Sequence, residues 1–470
     1  MLNRIEADSI GEKNIDQQAY YGVQTLRAFE NFKISGRTIN DQMINALAYV
    51  KKASAMTNAK VGLLDNKKMK AITEACDEIL SGELHEWFIV DPIQGGAGTS
   101  MNMNANEVIA NRGLELLGHE KGQYQYLHPN DHVNYGQSTN DVIPTAGKIA
   151  TIFLIDDLIV ELKAIQQTLE LKAIEFKDIL KMGRTQMQDA VPIRLGQEFA
   201  AYASAVERDI KRLEYIRQEL MVVNLGGTAI GTGINADEEY VKEVVPILAE
   251  LTELPLVQAV DLVDATQNLD IFTMASAIVK SSAISLSKVA NDLRLMSSGP
   301  KTGFGEITLP AKQNGSSIMP GKVNPVIPEV VNQVAFNIMG NDTTISLAVE
   351  SGQLELNAFE PIIFYKLFES ISTLTNAINT FNHNCIVGIL ANQTRCQQLV
   401  EHSVGIITAL CPHIGYQKAA DIAKEAIYTG ATVKSLIKRE NLLSTESIDI
   451  ILNPETMTRP GISGKQLLTK

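Results

Sequence analysis

Four long stretches of this chain, residues 148–182, 197–225, 256–298 and 362–387, contain neither proline nor glycine. Each is long enough for a helix of several turns, and neither of the two strongest helix breakers interrupts it. In the first, Ile155, Leu158, Leu162, Ile165, Leu169, Ala173, Phe176 and Leu180 recur at steps of three and four. In the second, Phe199, Ala203, Val206, Ile210, Leu213 and Leu220 keep a heptad-like spacing. Such a stripe is one apolar face of a helix, so the pattern predicts a mainly α chain built on a bundle of long helices.

The chain has 470 residues, more than one simple core accommodates. Before about residue 138 the apolar pattern is shorter and broken by polar clusters, GGAGTS from Gly95 and HPNDH from His128. After about residue 394 short segments are divided by Pro412, Gly415, Gly430 and Pro454. The expected organisation is an N-terminal domain over 1–138, a central helical bundle over 139–394 and a small C-terminal domain over 395–470. A single helix over 148–182 would set its ends roughly 52 Å apart at 1.5 Å per residue. Polar segments flank it, GQSTND from Gly136 before and GRTQMQDA from Gly183 after. If both serve one site, that site is built between chains.

The formal charge is −13, the pI is about 5.2, and no block of lysine and arginine is present. Neither nucleic acid nor an anionic membrane surface is an expected partner, and an anionic substrate needs local cations. The N-terminal segment is charged throughout, with no apolar signal region, and no apolar run approaches the ~20 residues of a membrane span. A cytoplasmic location is expected. Cys76, Cys385, Cys396 and Cys411 show no CxxC spacing, which predicts reduced thiols serving as core residues.

The segment GSSIMPGKVN, from Gly315 to Asn324, carries the densest chemistry. Two adjacent hydroxyls and backbone amides can face a small anion, Lys322 can supply a point charge for a carboxylate, and Asn324 can orient it. Gly315, Pro320 and Gly321 set the turns. It is not a P-loop: five residues separate its glycines, and Val323 follows the lysine. GGTAIGTGIN, from Gly226, lacks GxGxxG spacing and follows a helical pattern, so it reads as a helix-to-helix turn. His128 and His132 have i,i+4 spacing, but Pro129 and Asn130 between them oppose the helix that would aim both at one metal.

GSSxMxxKxN resembles the signature of the fumarase/aspartase superfamily. GTSMNMNANEV, GQSTNDVIPTA, GRTQMQDAVPIRLGQEF and GSSIMPGKVNPVIPEVVNQ follow in that family's order, over essentially the whole chain. AYYGVQTLRAFENF, KVNPVIPEVVNQVAF and ESGQLELNAFEPI are similar to the aspartase branch. The resemblance implies a three-domain lyase whose central helices join in a homotetramer with shared active sites. It implies reversible deamination of L-aspartate to fumarate and ammonia, with no organic cofactor and with divalent-cation activation left open. A class II fumarate hydratase is the alternative, and a catalytically silent helical scaffold a more distant one.

The resemblance also assigns roles. Ser316 is the base that takes a proton beside a carboxylate, leaving an aci-carboxylate dianion. Ser138, Thr139 and Ser317 hold that β-carboxylate, and Thr185, Lys322 and Asn324 the α-carboxylate. Thr99, Asn140 and Gln186 surround the leaving amino group, and Met319 belongs to the substrate-binding set. Many relatives carry histidine where this chain has Gln186, paired with a glutamate matching Glu329. Glutamine cannot relay a proton. Hydroxide leaving from malate calls for protonation, whereas the ammonium of aspartate is already protonated, so Gln186 fits an ammonia-lyase. The roles of Glu329 and of the segment from His128 to Asp131 stay open.

Overall fold

In the computed structural model, which describes residues 3–468, helices carry most of the chain. An antiparallel hairpin, β1 (Asn3–Asp8) and β2 (Gly11–Asp16), precedes four helices: α1 (Val23–Asn31), α2 (Asp41–Lys60), α3 (Asn66–Leu80) and α4 (Thr99–Leu116). The longest helix, α5 (Thr139–Glu175), leads to a second hairpin, β3 (Leu180–Thr185) and β4 (Gln188–Arg194). Next come α6 (Leu195–Glu219), α7 (Glu238–Thr252), α8 (Leu262–Gln267) and α9 (Asp270–Met296). Two more long helices, α10 (Val326–Glu350) and α11 (Glu360–Asn384), precede short helices running from Gln393–His402 to Thr445–Ile451.

The predicted helices are present with shifted bounds. The helix expected over 148–182 is α5, which starts at Thr139 and ends at Glu175. It runs through Pro144 because the carbonyl that Pro144 leaves without an N–H, that of Asn140, accepts from Asn224 Nδ2 at 3.1 Å. It also runs through Gly147, where a Cβ would sit 2.2 Å from the Phe364 ring. Beyond Glu175 the chain turns into the β3–β4 hairpin, so Leu180 lies on a strand although it continues the helical spacing. The stretch 256–298 divides into α8 and α9 without proline or glycine. Asp261 caps the start of α8 by accepting from the N–H groups of Val263 and Asp264 at 2.9 and 3.1 Å, and Asn268, in an extended conformation, ends it before α9 begins at Asp270.

The fold divides into two compact units. The first comprises the chain up to Val160, Asp209–Ala283 and Val334–Thr375; the second comprises Glu161–Arg208, Ile284–Gln333 and the chain from Asn376 onward. In the first, α2 begins where Asn40 accepts from Gln42 N–H and buries Ala46, Leu47, Val50, Lys51 and Ala53, while Phe272 meets Phe364 edge-on at 5.0 Å. In the second, Phe176 meets Phe199 edge-on at 5.2 Å. A further cluster there joins Met182 of β3 to Leu410, Ile422, Leu436, Ile437, Ile448 and Ile451. Cys76, Cys385 and Cys396 are buried, Cys411 is partly buried, and all four thiols are unpaired.

The Gly147 contact is testable. Gly147→Ala should lower stability by about 1–3 kcal/mol, since the added methyl must displace an aromatic ring in a packed core. Thermal unfolding should show a lower Tm; an unchanged Tm would mean that Phe364 moves aside at no cost.

Candidate active site

Three groups of polar residues stand out, one in the first unit and two in the second. The first gathers at the starts of α4 and α5. Thr99 opens α4 and donates its hydroxyl to Gly96 O at 2.7 Å. Ser138 precedes α5 and accepts from Asn140 N–H at 3.3 Å, while Asp141 reaches back to accept from Ser138 N–H at 2.9 Å. This is a reciprocal capping box, S-x-x-D. Asn102 of α4 donates Nδ2 to Thr139 Oγ1 at 3.3 Å, which brings the two helix starts together. The positive ends of two helix dipoles make such a place suited to a carboxylate.

Asp141 holds this corner in place. Its carboxylate is wholly buried and accepts three backbone N–H groups, from Ser138 at 2.9 Å and from Gly226 and Thr228 at 3.0 Å each. Burial raises its pKa to about 6, against the pull of those three donors, which favour the ionised form. GGTAIGTGIN is thus an irregular loop whose amides bind a carboxylate of this chain. Asn140 donates Nδ2 to Ala229 O in the same loop at 2.7 Å, which turns its Oδ1 the other way.

The second group is the loop from Gly315 to Asn324. Gly315 N–H donates to Lys322 O at 2.8 Å and Asn324 Nδ2 donates to Gly315 O at 2.8 Å, so the ends of the loop are tied together. A Cβ at Gly315 would lie 2.5 Å from Lys322 O, which explains the glycine. Inside the loop Ser316 Oγ accepts two backbone N–H groups, from Ile318 at 3.2 Å and Met319 at 3.0 Å. Two amides aimed at one hydroxyl oxygen favour its negative form. Ser316 is half-buried, whereas Ser317, Met319 and Lys322 are exposed, and the neighbouring Ile318 is 84% exposed.

The third group is the tip of the β3–β4 hairpin. Thr185 pairs with Gln188 across a two-residue turn in which Gln186 and Met187 have φ of 53° and 64°. A turn with both central residues left-handed favours Asn-Gly; Gln-Met costs of order 1 kcal/mol per residue. Strain kept at an exposed tip is a mark of function. Beneath it Arg184 binds the buried Glu306 at 2.8 Å and stacks on Phe304 at 4.0 Å, while Lys181 lies 3.4 Å from the same carboxylate. Within the second unit no hydrogen bond among the described residues joins this tip to the loop of Ser316.

His128 and His132 are committed locally. His128 Nδ1 accepts from the N–H groups of Asn130 and Asp131 at 3.1 and 3.2 Å; His132 Nδ1 accepts from His128 N–H at 2.7 Å, and its Nε2 lies 2.9 Å from Lys68 Nζ. Glu329 sits in the first turn of α10.

The sequence matches the family described as "Lyase" over residues 11–340 and that described as "Fumarase C C-terminus" over residues 406–459. It is 57% identical over 467 residues to aspartate ammonia-lyase of Bacillus subtilis strain 168, covering 99% of this chain and 98% of that protein. This chain is a member of the aspartase branch of the fumarase/aspartase superfamily. A solved fumarate lyase:delta crystallin from Brucella melitensis, bound to cobalt, superposes with a TM-score of 0.95 at 49% identity, covering 98% of this chain and all of that one. A class II fumarase from Schistosoma mansoni superposes with a TM-score of 0.94 at 35% identity, covering 97% and 99%. The lyase family membership accounts for a small-molecule substrate and for the mainly α architecture.

Asp141, Asn102, Lys51, Arg184 and Glu306 lie behind the family-matched residues and were not singled out by sequence reasoning. Ser138-x-x-Asp141 is a capping-box pattern and so had a signal; the Arg184–Glu306 pair, 122 positions apart, had none. Asp141→Asn should lose at least one of the three N–H bonds, because an amide nitrogen cannot accept. It should destabilise the fold by about 1–3 kcal/mol and lower kcat/KM. Full activity with an unchanged Tm would show that the helix starts do not depend on this carboxylate.

Proposed function

We propose that the protein catalyses reversible deamination of L-aspartate to fumarate and ammonia. The full-length likeness to aspartate ammonia-lyases carries this reading. In the proposed reaction Ser316, as its alkoxide, takes a proton from the carbon beside the β-carboxylate. The electron pair passes into that carboxylate as an aci-carboxylate dianion, held by Ser138, Thr139 and Ser317. Collapse of the dianion forms the carbon–carbon double bond and breaks the carbon–nitrogen bond, so the protonated amino group leaves as ammonia and fumarate remains. The two N–H groups at Ser316 Oγ support the base assignment, because a serine hydroxyl is a poor base unaided. Lys322, Thr185 and Asn324 take the α-carboxylate, with Met319 against the substrate. Thr99, Asn140 and Gln186 face the amino group, and Gln186, which relays no proton, suits a leaving group that needs none.

The reading extends to a homotetramer in the cytoplasm with sites shared between chains. Apolar side chains left outward on the long helices support association: Val160 and Ile174 on α5 are each 64% exposed, as is Leu347 on α10. The uninterrupted α5 supports sharing, since 37 residues span about 54 Å. Among the described residues no helix is long and apolar enough to cross a membrane, and the four thiols are unpaired, in keeping with a reducing compartment. The step calls on no organic cofactor, and rates with and without magnesium test for activation by a divalent cation.

Purified protein should raise the ultraviolet absorbance of fumarate from L-aspartate, and faster turnover of L-malate would overturn the assignment in favour of a hydratase. Ser316→Ala should lose at least about 100-fold in kcat while still binding a dicarboxylate; more than a few per cent of residual activity would remove serine from the role of base. Thr139→Val and Thr185→Val chains, dissociated, mixed equally and reassembled, should recover activity above either parent, because random assortment leaves roughly a quarter of shared sites intact at both positions. Tetramers proven mixed by a tag on one chain, yet no more active than their parents, would exclude the shared site.

A further inference from the structure

Behind Ser138 and Thr139 lies a buried lysine that the reaction above does not use. Lys51 of α2 has no exposed surface, and its Nζ contacts two side-chain amides, Asn134 Oδ1 at 2.8 Å and Gln137 Oε1 at 2.9 Å. Burial lowers its pKa to about 7, partly opposed by the Asp141 charge. Charged or neutral, the amine offers N–H groups to both contacts. An amide has two ends of nearly equal shape, and its neighbours decide which end points where. Facing a lysine, Asn134 and Gln137 must turn their oxygens inward.

That choice propagates. Asn134 Oδ1 also faces Asn106 Nδ2 at 3.2 Å and Asn102 Nδ2 at 3.3 Å, and with an acceptor already in place both must present nitrogen. Their own Oδ1 atoms are left buried without a partner among the described residues, a cost of about 1–3 kcal/mol each that a freely chosen orientation would avoid. The same Asn102 Nδ2 donates to Thr139 Oγ1 at 3.3 Å. An oxygen that accepts there must send its own proton elsewhere, and half-buried Thr139 has an open side on which to do so.

We infer that Lys51 is a positioning residue: through Asn134 and Asn102 it fixes the direction of a hydrogen-bond chain that leaves the Thr139 hydroxyl as a donor to the substrate's carboxylate. This rests on the proposed reading of Thr139 as a β-carboxylate contact. The donor serves the transition state most, because the carboxylate there gains a second negative charge. Asn134 and Asn102 transmit the effect, and Lys51 touches no reacting atom.

The test is a pair of double-mutant cycles, Lys51→Met with Thr139→Val and Asn102→Leu with Thr139→Val. Both read fumarate formation from L-aspartate and calorimetric binding of succinate. Each single variant should lower kcat/KM by about tenfold or more, mainly through kcat. Once Thr139 is valine, adding either of the others should cost no more than about twofold, because the hydroxyl through which they act is gone. Losses that multiply, or an Asn102→Leu enzyme as active as the parent, would overturn the inference. If Lys51→Met does not fold, the uncharged Asn102→Leu cycle decides alone. A parent protein that forms no fumarate would sink the proposed function, and the same cycles on succinate affinity would then decide the inference: a shared loss sustains it, and independent losses or no binding overturn it.

Discussion

The wholly buried carboxylate of Asp141 is the interaction on which the first group of site residues depends. It accepts N–H groups from two separate segments, at Ser138 and at the Gly226–Thr228 turn, and so joins the start of the longest helix to a loop 85 positions later. Backbone donors at a helix start are partial positive charges. A buried anion on one side of that start balances part of this charge and fixes the geometry. The Ser138 and Thr139 hydroxyls lie on the same turn, where the proposed β-carboxylate would add a second anion. Lys51, buried between the amide oxygens of Asn134 and Gln137, points its N–H groups into the same region. In a chain of overall charge −13, the helix starts are where partial positive charge gathers in this unit.

The second unit solves the same problem differently. There the cations are Lys322 on an exposed loop and, under the hairpin, Arg184, held by Glu306, and Lys181, which donates to Glu198 at 2.8 Å and lies 3.4 Å from Glu306. Glu306 has no exposed surface, and Arg184 and Lys181 are the cationic side chains beside it. The pairing anchors the base of the hairpin while the tip keeps its left-handed Gln186 and Met187. A rigid base under a strained tip is what presenting Thr185 and Gln186 at fixed positions requires. The Ser316 loop is held at its ends by Gly315, Lys322 and Asn324 and is exposed at its middle, so its rigidity lies in the ties and its freedom at the apex.

Much of this is legible in the amino-acid sequence. The apolar stripes of 148–182 and 197–225 do lie on α5 and α6, apart from Phe176, Leu180 and Leu220 beyond the helix ends, because steps of three and four survive a shift of those ends. The ends themselves were not legible. Pro144 and Gly147 are helix-breaking residue types inside α5, yet one is compensated by Asn224 and the other is demanded by Phe364, partners 80 and 217 positions away respectively. The stretch 256–298 departs in the other direction, since it lacks both breakers, yet its first helix begins only after the Asp261 cap and ends at Asn268, whose backbone is extended. Composition records which residues permit a helix; only long-range contacts record which permissions are used.

The family-matched residues were legible because the chemistry needs particular groups at short spacing, as in Gly315 to Asn324. The layer behind them was not, and the reason is physical. Asn102, Asn104 and Asn106 sit in the middle of a helix, where asparagine is a poor helix former, and all three are buried. A run of costly residues inside a helix signals a polar network, but it does not say what the network holds. That depends on Lys51, one helix away, and on the rule that its N–H groups need acceptors. The direction of every amide between Lys51 and Thr139 follows from that one requirement, so the identity of a residue that never meets the substrate can set which proton the substrate meets.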